Sequence, residues 1–574
     1  MVQEVMAPEE RHLRTLFLSL GGLMLFTFFI LLKVGGDTQL QYVPWLSLYK
    51  IHLLSELSIP YFTPGYCGGY LLAAYPHSLI LTPHMLATLV MPNAYWAIKI
   101  VNLVITIVFG VGMYSWLKWF GVRNELARTI AALLVTVSGW WVLRMVDAGH
   151  LGVSGIAYTP WIMVLIEILL RRRPEPKRGY ISLVAALIAL FFLLINSVHV
   201  WLLTSVPIIA ARCVVEIFPA PKRASKETFA SLGIVVLSGL FAVLLSGPRL
   251  GGIYEFALTK FPRIGTGIAP HFQVIEDTRL LLTWITRSLF DAKFMVDADA
   301  NRVLGSYWEY SNFIGLFSVP ALILGLLKSK HLLKSRAFTS LLIAALFQLA
   351  ITRTPYVADL VRYLVPVYKS ITWYWRGSII LVFCVSVMVA CGYEHLFDKR
   401  RALATWTGVV LALVNLGEIQ YAYQFDGRHT RFETPFIGFL TETMPPKPYS
   451  SHMSGTCYDP LFGYSGEYYH GVFAEGSVYE SRDAEYYNMH DVRRLAGDEA
   501  EDSHFMHNDW PLWPKTDAAD FERFINYQQV ITVPTRLRVI NAASAVAWVG
   551  YSFCILMLGI HKIVAKKQQK RVTQ

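Results

Sequence analysis

Long apolar runs alternate with polar segments along this chain. Runs of about 17 to 22 mainly apolar residues are long enough to cross a bilayer as α-helices. About twelve such runs can be counted on this criterion. They lie near residues 13–33, 97–118, 126–143, 151–170, 179–196, 199–217, 228–247, 309–328, 337–353, 376–397, 402–420 and 539–562. The pattern predicts an all-α polytopic membrane protein with about twelve transmembrane helices.

Basic residues follow every even-numbered run. The clusters lie in residues 123–128, 171–178, 222–226, 328–336, 399–401 and 566–571. Cytoplasmic loops of membrane proteins carry an excess of Lys and Arg, so this distribution sets the orientation. It predicts that both termini are cytoplasmic. We expect a multi-pass protein of a bacterial inner membrane.

The composition also indicates a membrane protein, and it limits the classes of binding partner that we expect. Of the 574 residues, 54% are hydrophobic and only 16% are charged, whereas a soluble domain has about 25% charged residues. The net charge of +11 is typical of basic cytoplasmic loops, and no basic tract is interleaved with aromatics. We therefore expect membrane lipids, and no nucleic acid, as partners. Residues 17–32 are not followed by a small-residue cleavage site, so no cleavable signal peptide is expected.

The predicted spans divide the chain into three parts. Residues 1–420 form the transmembrane domain with about eleven spans, residues 421–538 a large outer loop, and residues 539–574 the last span with a basic cytoplasmic tail. The first outer loop, 34–96, is rich in Tyr and Pro, which favours short helices at the membrane interface. The loop 421–538 is polar and long, and we expect a small extracytoplasmic subdomain there.

Two features of the outer loops leave alternatives open. Cys67 and Cys457 both fall on the predicted oxidising side, so a disulfide between them is one possibility and two free thiols the other. Four residues of the last outer loop could hold a metal ion, although a solvated loop fits their spacing better. These are Asp502, His504, His507 and Asp509. No CxxC pair indicates structural zinc.

Charged and polar residues collect at the predicted outer boundary of the spans. They are Asp37, Arg144, Asp147, His150, Arg249, Glu309 and Arg376. A carboxylate at the edge of a span is costly and is often kept for function. Arginine binds phosphate in a planar, bidentate manner, and a carboxylate can act as a general base. Their joint placement favours a site for a lipid-linked anionic substrate.

Each of these residues also has a simpler structural interpretation. Asp37 can be the N-cap of a following helix, and Asp147 can pair with Arg144 three residues away. Glu309 can cap the eighth span. Arginines at span ends often reach to lipid headgroups, and His150 is more often a satisfied polar side chain than a metal ligand.

Three sequence motifs resemble those of a known family. The stretches are GGDTQLQYVPWLSLYK with PYFTPGYCGGYLLAAYP, SYWEYSNFIGLFSVPALIL, and YKSITWYWRGSIILVF. They resemble segments of YfhO-like bacterial membrane glycosyltransferases of the GT-C superfamily. The resemblance covers scattered motifs in roughly the first 395 residues. The first motif is the most specific, and the region 421–538 has no match to the family.

This resemblance implies a polyprenyl-phosphate sugar as donor and an inverting transfer on the outer face. The acceptor would be an envelope glycan, lipid or protein. GT-C enzymes place an acidic residue in the first outer loop as the catalytic base, and this position corresponds to Asp37. The candidate substrate-binding residues are Arg376, Arg249, His150, Glu309, Asp147 and Tyr42. Enzymes of this kind often need no metal, so neither a metal nor another cofactor is expected.

Two other functions remain open from the sequence. The first is a lipid or polysaccharide transporter, although no internal repeat supports an inverted-repeat carrier. The second is a non-catalytic subunit of a membrane complex, with partners bound through 421–538. An acyltransferase is less favoured, because no Ser or His arrangement within a span is typical of one.

Overall fold

A computed structural model describes the chain in several ranges. They are residues 8–32, 42, 46, 49–50, 53–54, 59, 61, 73, 78–91, 93–171, 177–197, 200–218, 226–255, 274–296, 304, 310–365, 368, 374–399, 401–426 and 533–573. Within these ranges the protein is helical and contains no β-strand. The predicted all-α class is thereby confirmed for the described residues.

Nineteen α-helices are described along the chain. They are α1 (Pro8–Phe26), α2 (Pro83–Val90), α3 (Ala94–Leu117), α4 (Glu125–Thr136), α5 (Gly139–Val142), α6 (Thr159–Arg171), α7 (Lys177–Ile195), α8 (Val200–Leu203), α9 (Ser205–Ile217), α10 (Lys226–Leu245), α11 (Gly247–Gly252), α12 (Thr278–Phe290), α13 (Val319–Leu327), α14 (Ser329–Leu332), α15 (Arg336–Arg353), α16 (Pro355–Leu364), α17 (Ile379–Lys399), α18 (Arg401–Tyr421) and α19 (Thr535–Thr573). Local sequence sets several of their starts. Asn93 and Asn124 accept backbone N–H bonds as N-caps of α3 and α4, and proline opens α2 and α16.

Nine helical segments in the described ranges are long and apolar enough to cross a membrane. They are Arg11–Leu31, Ala94–Phe120, Glu125–Asp147, Leu151–Arg171, Val200–Ile217, Glu227–Leu245, Arg336–Arg353, Tyr374–Phe397 and Thr535–Ile560. The protein is therefore a helical, multi-pass membrane protein. Each of the nine coincides with a predicted span.

The other three predicted spans also overlap helices, but none of these is long and apolar enough for a span over its described residues. Gly179–Ile195 and Leu316–Leu327 are shorter apolar helices. The second is only about 18 Å long at 1.5 Å per residue, well below the thickness of the hydrocarbon core. The third helix, α18, has polar residues in its last turns. The count of twelve spans stays a prediction.

The start of the eighth predicted span is extended and not helical. Residues 311–315 have no helical structure, and the helix begins at Leu316. Gly315 has φ +92, a conformation that favours glycine. Glu418 on α18 accepts the backbone N–H of Leu316 at 2.7 Å and that of Phe317 at 3.4 Å. A polar residue that makes α18 less apolar thus caps the neighbouring helix.

The helices share one extended apolar core, which contains the buried indoles of Trp116, Trp140, Trp141, Trp284 and Trp375. Helices α13 and α17 approach each other closely. A Cβ atom at Gly325 would collide with the carbonyl oxygen of Met388, and one at Gly392 with that of Ala321. Small residues allow this backbone approach, as is common between membrane helices.

Four described helices lie wholly or almost wholly in the predicted outer loops. Helix α2 agrees with the short helix expected in the first loop, whereas α11, α12 and α16 were not predicted. Cys67, Cys457 and the four possible metal ligands Asp502, His504, His507 and Asp509 lie outside the described residues, as does most of the predicted subdomain.

Candidate functional site

Three π-helical turns at the predicted outer ends of helices are described over their full length of five residues. They are Thr27–Leu31, Leu143–Asp147 and Ala422–Asp426. Two of the turns are in contact, because the rings of Phe28 and Tyr423 meet edge to face at 5.3 Å. The Tyr423 hydroxyl also donates to the Val137 carbonyl at 3.0 Å. Such turns occur frequently at functional sites, so this end of the bundle is the candidate site.

Trp140 connects two of the arginines at this end. The guanidinium of Arg144 lies 4.3 Å from the centroid of the Trp140 ring and donates to the Trp140 carbonyl at 3.3 Å. The indole N–H of Trp140 donates to the carbonyl oxygen of Arg376 at 3.1 Å. Arg144 is fully buried and Arg376 is half-buried. The structure therefore brings Arg144 and the predicted residue Arg376 together through one indole.

Arg249 forms a second group with two tyrosines. It lies on α11, is only 2% exposed, and donates from Nη1 to the Ile195 carbonyl at 2.8 Å. Tyr49 and Tyr42, both buried, interact with it electrostatically. Burial lowers the pKa of Arg249 to about 10, so the guanidinium remains positive at neutral pH. Burial also raises the pKa of Tyr49, a shift that its hydrogen bond to Ser78 and the nearby Arg249 partly oppose.

A third group was missed by the sequence analysis. Lys99, within the second predicted span, is buried and donates from Nζ to the carbonyl oxygen of Leu32 at 3.0 Å. Its ammonium lies 4.7 Å from the Trp96 ring centroid. One turn later, Asn102 donates to the Met145 carbonyl at 3.4 Å. Helix α3 thus bonds to the residue that follows one π turn and to the middle of another. A lysine inside an apolar run was the available signal.

His84 on α2 completes this third group. Its Nε2 atom lies 2.8 Å from Asn102 Oδ1, which accepts the imidazole N–H. Burial lowers the pKa of His84 to about 4, and the Asn102 hydrogen bond opposes this only in part. The ring is therefore neutral at pH 7. The Nδ1 atom is buried and has no hydrogen-bond partner in the described ranges.

The other predicted site residues are distributed as follows. Asp147 is the last residue of the π turn Leu143–Asp147 and is half-buried. His150 is half-buried, and its backbone N–H donates to the Arg144 carbonyl at 2.7 Å. Asp37 and Glu309 lie outside the described residues. Leu32 precedes Asp37 by only five residues, which limits their separation to about 18 Å.

The described side chains of this end are suited to binding an anion at a membrane boundary. Three buried cations and two buried tyrosine hydroxyls lie at the same end of the apolar core. Such groups act strongly because little water screens them. Among the described residues no group of three His, Cys, Asp or Glu side chains could hold a metal ion. The expected independence from metals stays a prediction.

Comparison of the chain with protein-family models and with curated protein sequences finds no match. The resemblance to YfhO-like GT-C enzymes, carried by the segment that includes Asp37, therefore stays a prediction.

Proposed function

We propose that the protein is a membrane glycosyltransferase of the GT-C type. It would move a sugar from a polyprenyl-phosphate donor to an acceptor of the cell envelope. The observation that supports this most is the placement of three buried cations, Lys99, Arg144 and Arg249, at the predicted outer end of the bundle. Charged side chains inside a membrane protein are costly and usually mark a site.

In this proposal the arginines hold the phosphate of the donor. Arg376 and Arg249 bind the phosphate oxygens, for which the planar guanidinium is suited. Arg144, stacked on Trp140, and the buried Arg249 add positive potential where negative charge develops on the departing phosphate. Tyr42 lies beside Arg249, and Asp147, His150 and Glu309 shape the pocket for the sugar.

Asp37 is the base of the proposed reaction. It accepts the proton of the acceptor hydroxyl while the hydroxyl oxygen attacks the anomeric carbon. The bond between that carbon and the phosphate oxygen breaks, and its electron pair stays with the polyprenyl phosphate. Attack from the face opposite the phosphate inverts the anomeric centre. No metal is needed for this balance, since the guanidinium groups stabilise the leaving phosphate.

The test uses purified full-length protein with a set of radiolabelled polyprenyl-phosphate sugars and an extract of the cell envelope as acceptor. We expect the wild type to move label to an acceptor, or to release it by slow hydrolysis. Asp37→Asn should lower the rate by at least about 10³-fold while donor binding is retained, because only the base is lost.

Asp359→Asn is the matched control, because it removes an exposed carboxylate on the same predicted face. It should retain wild-type activity and thermal stability. Full activity of Asp37→Asn would exclude Asp37 as the base. Binding of the lipid by wild type without turnover on any donor or acceptor would instead favour a carrier or a non-catalytic subunit.

A further inference from the structure

Helix α16 begins at the end of a candidate membrane span. Helix α15 ends at Arg353, and α16 begins two residues later at Pro355. The span Arg336–Arg353 fixes this point near the boundary of the hydrocarbon layer. Helix α15 itself exposes apolar side chains, among them Ile343 and Leu346. Helix α16 therefore follows directly on a candidate span that itself exposes apolar side chains.

One face of α16 is apolar and exposed. Its side chains are Tyr356, Leu360, Tyr363 and Leu364, which are 84%, 55%, 80% and 65% exposed. Their spacing of four, seven and eight residues places them in one stripe about 100° wide. We call these four residues the α16 stripe. Tyrosines at both ends of an apolar stripe are typical of a helix at the membrane interface.

The remaining faces of α16 have different surroundings. Val357, Ala358 and Val361 pack on a small core that includes Tyr368 and Tyr374. On the polar side, Arg362 Nη1 lies 3.9 Å from Asp359 Oδ1, and Asp359 is well exposed. The helix thus has one buried face, one polar face and one exposed apolar face. A helix surrounded only by water would not be expected to expose four such side chains together.

We propose that α16 lies flat in the membrane surface, with the α16 stripe in contact with the acyl chains of lipids in the leaflet on the Arg249 side. Asp359 then points to the headgroups and water. The occupant of the stripe is the lipid bilayer, because α16 continues directly from a span that ends at that depth. Since α16 also packs on Tyr374, it separates the bilayer from the turn that carries Arg376. The proposal does not depend on sugar transfer.

The test is photo-crosslinking of the full-length protein in vesicles of phosphatidylethanolamine and phosphatidylglycerol. The photoreactive residue p-benzoylphenylalanine replaces Leu360 or Tyr363 in the stripe, and Asp359 beside it. A fourth variant carries it at Val549, an exposed position of the span in α19, and reports the yield of lipid adducts within the bilayer. All four positions are exposed, so a larger side chain fits without repacking the core.

We expect adducts with phospholipid, identified by mass, at positions 360 and 363 in yields close to that at 549 and about fivefold above that at 359, since only the stripe meets acyl chains. Equal lipid yields at 359 and 360 would overturn the proposal. Adducts at 360 and 363 with a second copy of the chain, or with another segment of the same chain, would also overturn it. Such adducts would identify the stripe as a protein interface.

Discussion

Buried cations are held differently at the two ends of the helix bundle. At the predicted cytoplasmic end, Arg212 bonds to Glu167 at 2.6 Å and to Glu216 at 2.7 Å. At the predicted outer end, Arg249 donates to the Ile195 carbonyl at 2.8 Å. A carboxylate both orients a guanidinium and neutralises it, so the arrangement of Arg212 suits a structural joint. The Ile195 carbonyl orients the guanidinium of Arg249, which under the proposed function stabilises the donor phosphate.

The two ends of the bundle also differ in how the backbone of their helices begins or ends. At the predicted cytoplasmic end, Asn124 caps α4 and the carboxylate of Glu394 accepts the N–H of Asn124 at 3.1 Å. At the predicted outer end, α1 and α18 each finish in a π turn. Capped helix starts occur at both ends, since Asn93 caps α3 at the predicted outer end, so the π turns are what distinguishes the outer end. Irregular turns re-aim side chains and cost stability, so they are retained where function requires them.

The largest expected effect comes from breaking the buried ion pair at the predicted cytoplasmic end. Arg212→Met leaves the fully buried Glu167 with Arg171, whose side chain is 40% exposed and 2.9 Å away. We expect the free energy of unfolding to fall by about 3 kcal/mol, because a buried charge loses its closest partner. Thermal unfolding of the purified protein in detergent measures this. Transfer activity per folded molecule should stay unchanged.

Arg336→Gln is the matched control for this end. Arg336 bonds to Glu216 at 2.6 Å, but its side chain is 51% exposed. Its loss should cost less than about 1 kcal/mol, as for other exposed pairs. A similar loss of stability in both variants would show that burial does not distinguish these arginines, and the comparison of the two ends would lose its basis.

The second prediction concerns the pH dependence of stability that His84 causes at the predicted outer end. The pKa of His84 is about 4 in the folded protein, below the value of about 6.5 for an unfolded chain. The unfolded state therefore binds more protons between these values. The contribution of His84 to the free energy of unfolding is fully present above pH 6.5. It is lost as the pH drops toward 4, by up to about 3 kcal/mol.

His84→Gln should make this pH dependence flatter. Glutamine can donate to Asn102 Oδ1 as His84 does, but it does not titrate. Apparent unfolding temperatures between pH 4.5 and 8 measure the slope. The control variant His12→Gln removes an exposed histidine near the start of α1. It should keep the wild-type slope. An unchanged slope in His84→Gln would mean that another group controls the acid sensitivity.

Much of the helical layout was readable from the apolar runs. Each of the twelve predicted runs coincides with helical structure in the described ranges. Hydropathy alone placed α18 among the predicted spans, although Glu418 and Asn415 interrupt its apolar sequence and bond to residues 314, 316 and 317. The sequence alone does not distinguish a polar residue that caps a neighbouring helix from one that faces water.

The candidate site was predictable only in its components. Arg249 and Arg376 stand at span ends where the topology predicts a boundary, but Trp140 as the link between Arg144 and Arg376 needs the fold. The pairing of Arg212 with Glu167, 45 residues apart, was equally hidden, because each charge interrupts a different apolar run. Tertiary pairing of single residues leaves no periodic signal.

The smallest expected effect compares one buried tryptophan at each end. Trp140 donates its N–H to the Arg376 carbonyl at 3.1 Å, whereas the indole N–H of Trp116 has no hydrogen-bond partner in the described part of the chain. Both rings are fully buried, so Trp140→Phe and Trp116→Phe remove a similar volume. Trp140→Phe should cost about 1 kcal/mol more in the free energy of unfolding, because the Arg376 carbonyl loses its donor.

The same pair of variants separates stability from function. Under the proposed mechanism, Trp140→Phe loosens the position of Arg376 and should lower the transfer rate about tenfold, with a smaller effect on donor affinity. Trp116→Phe should leave the rate of the folded protein unchanged, because its ring packs on Phe120 and Phe383 at the opposite end. If both variants lost activity equally, the effect would come from packing alone, and the predicted outer end would hold its arginines for structure as the other end does.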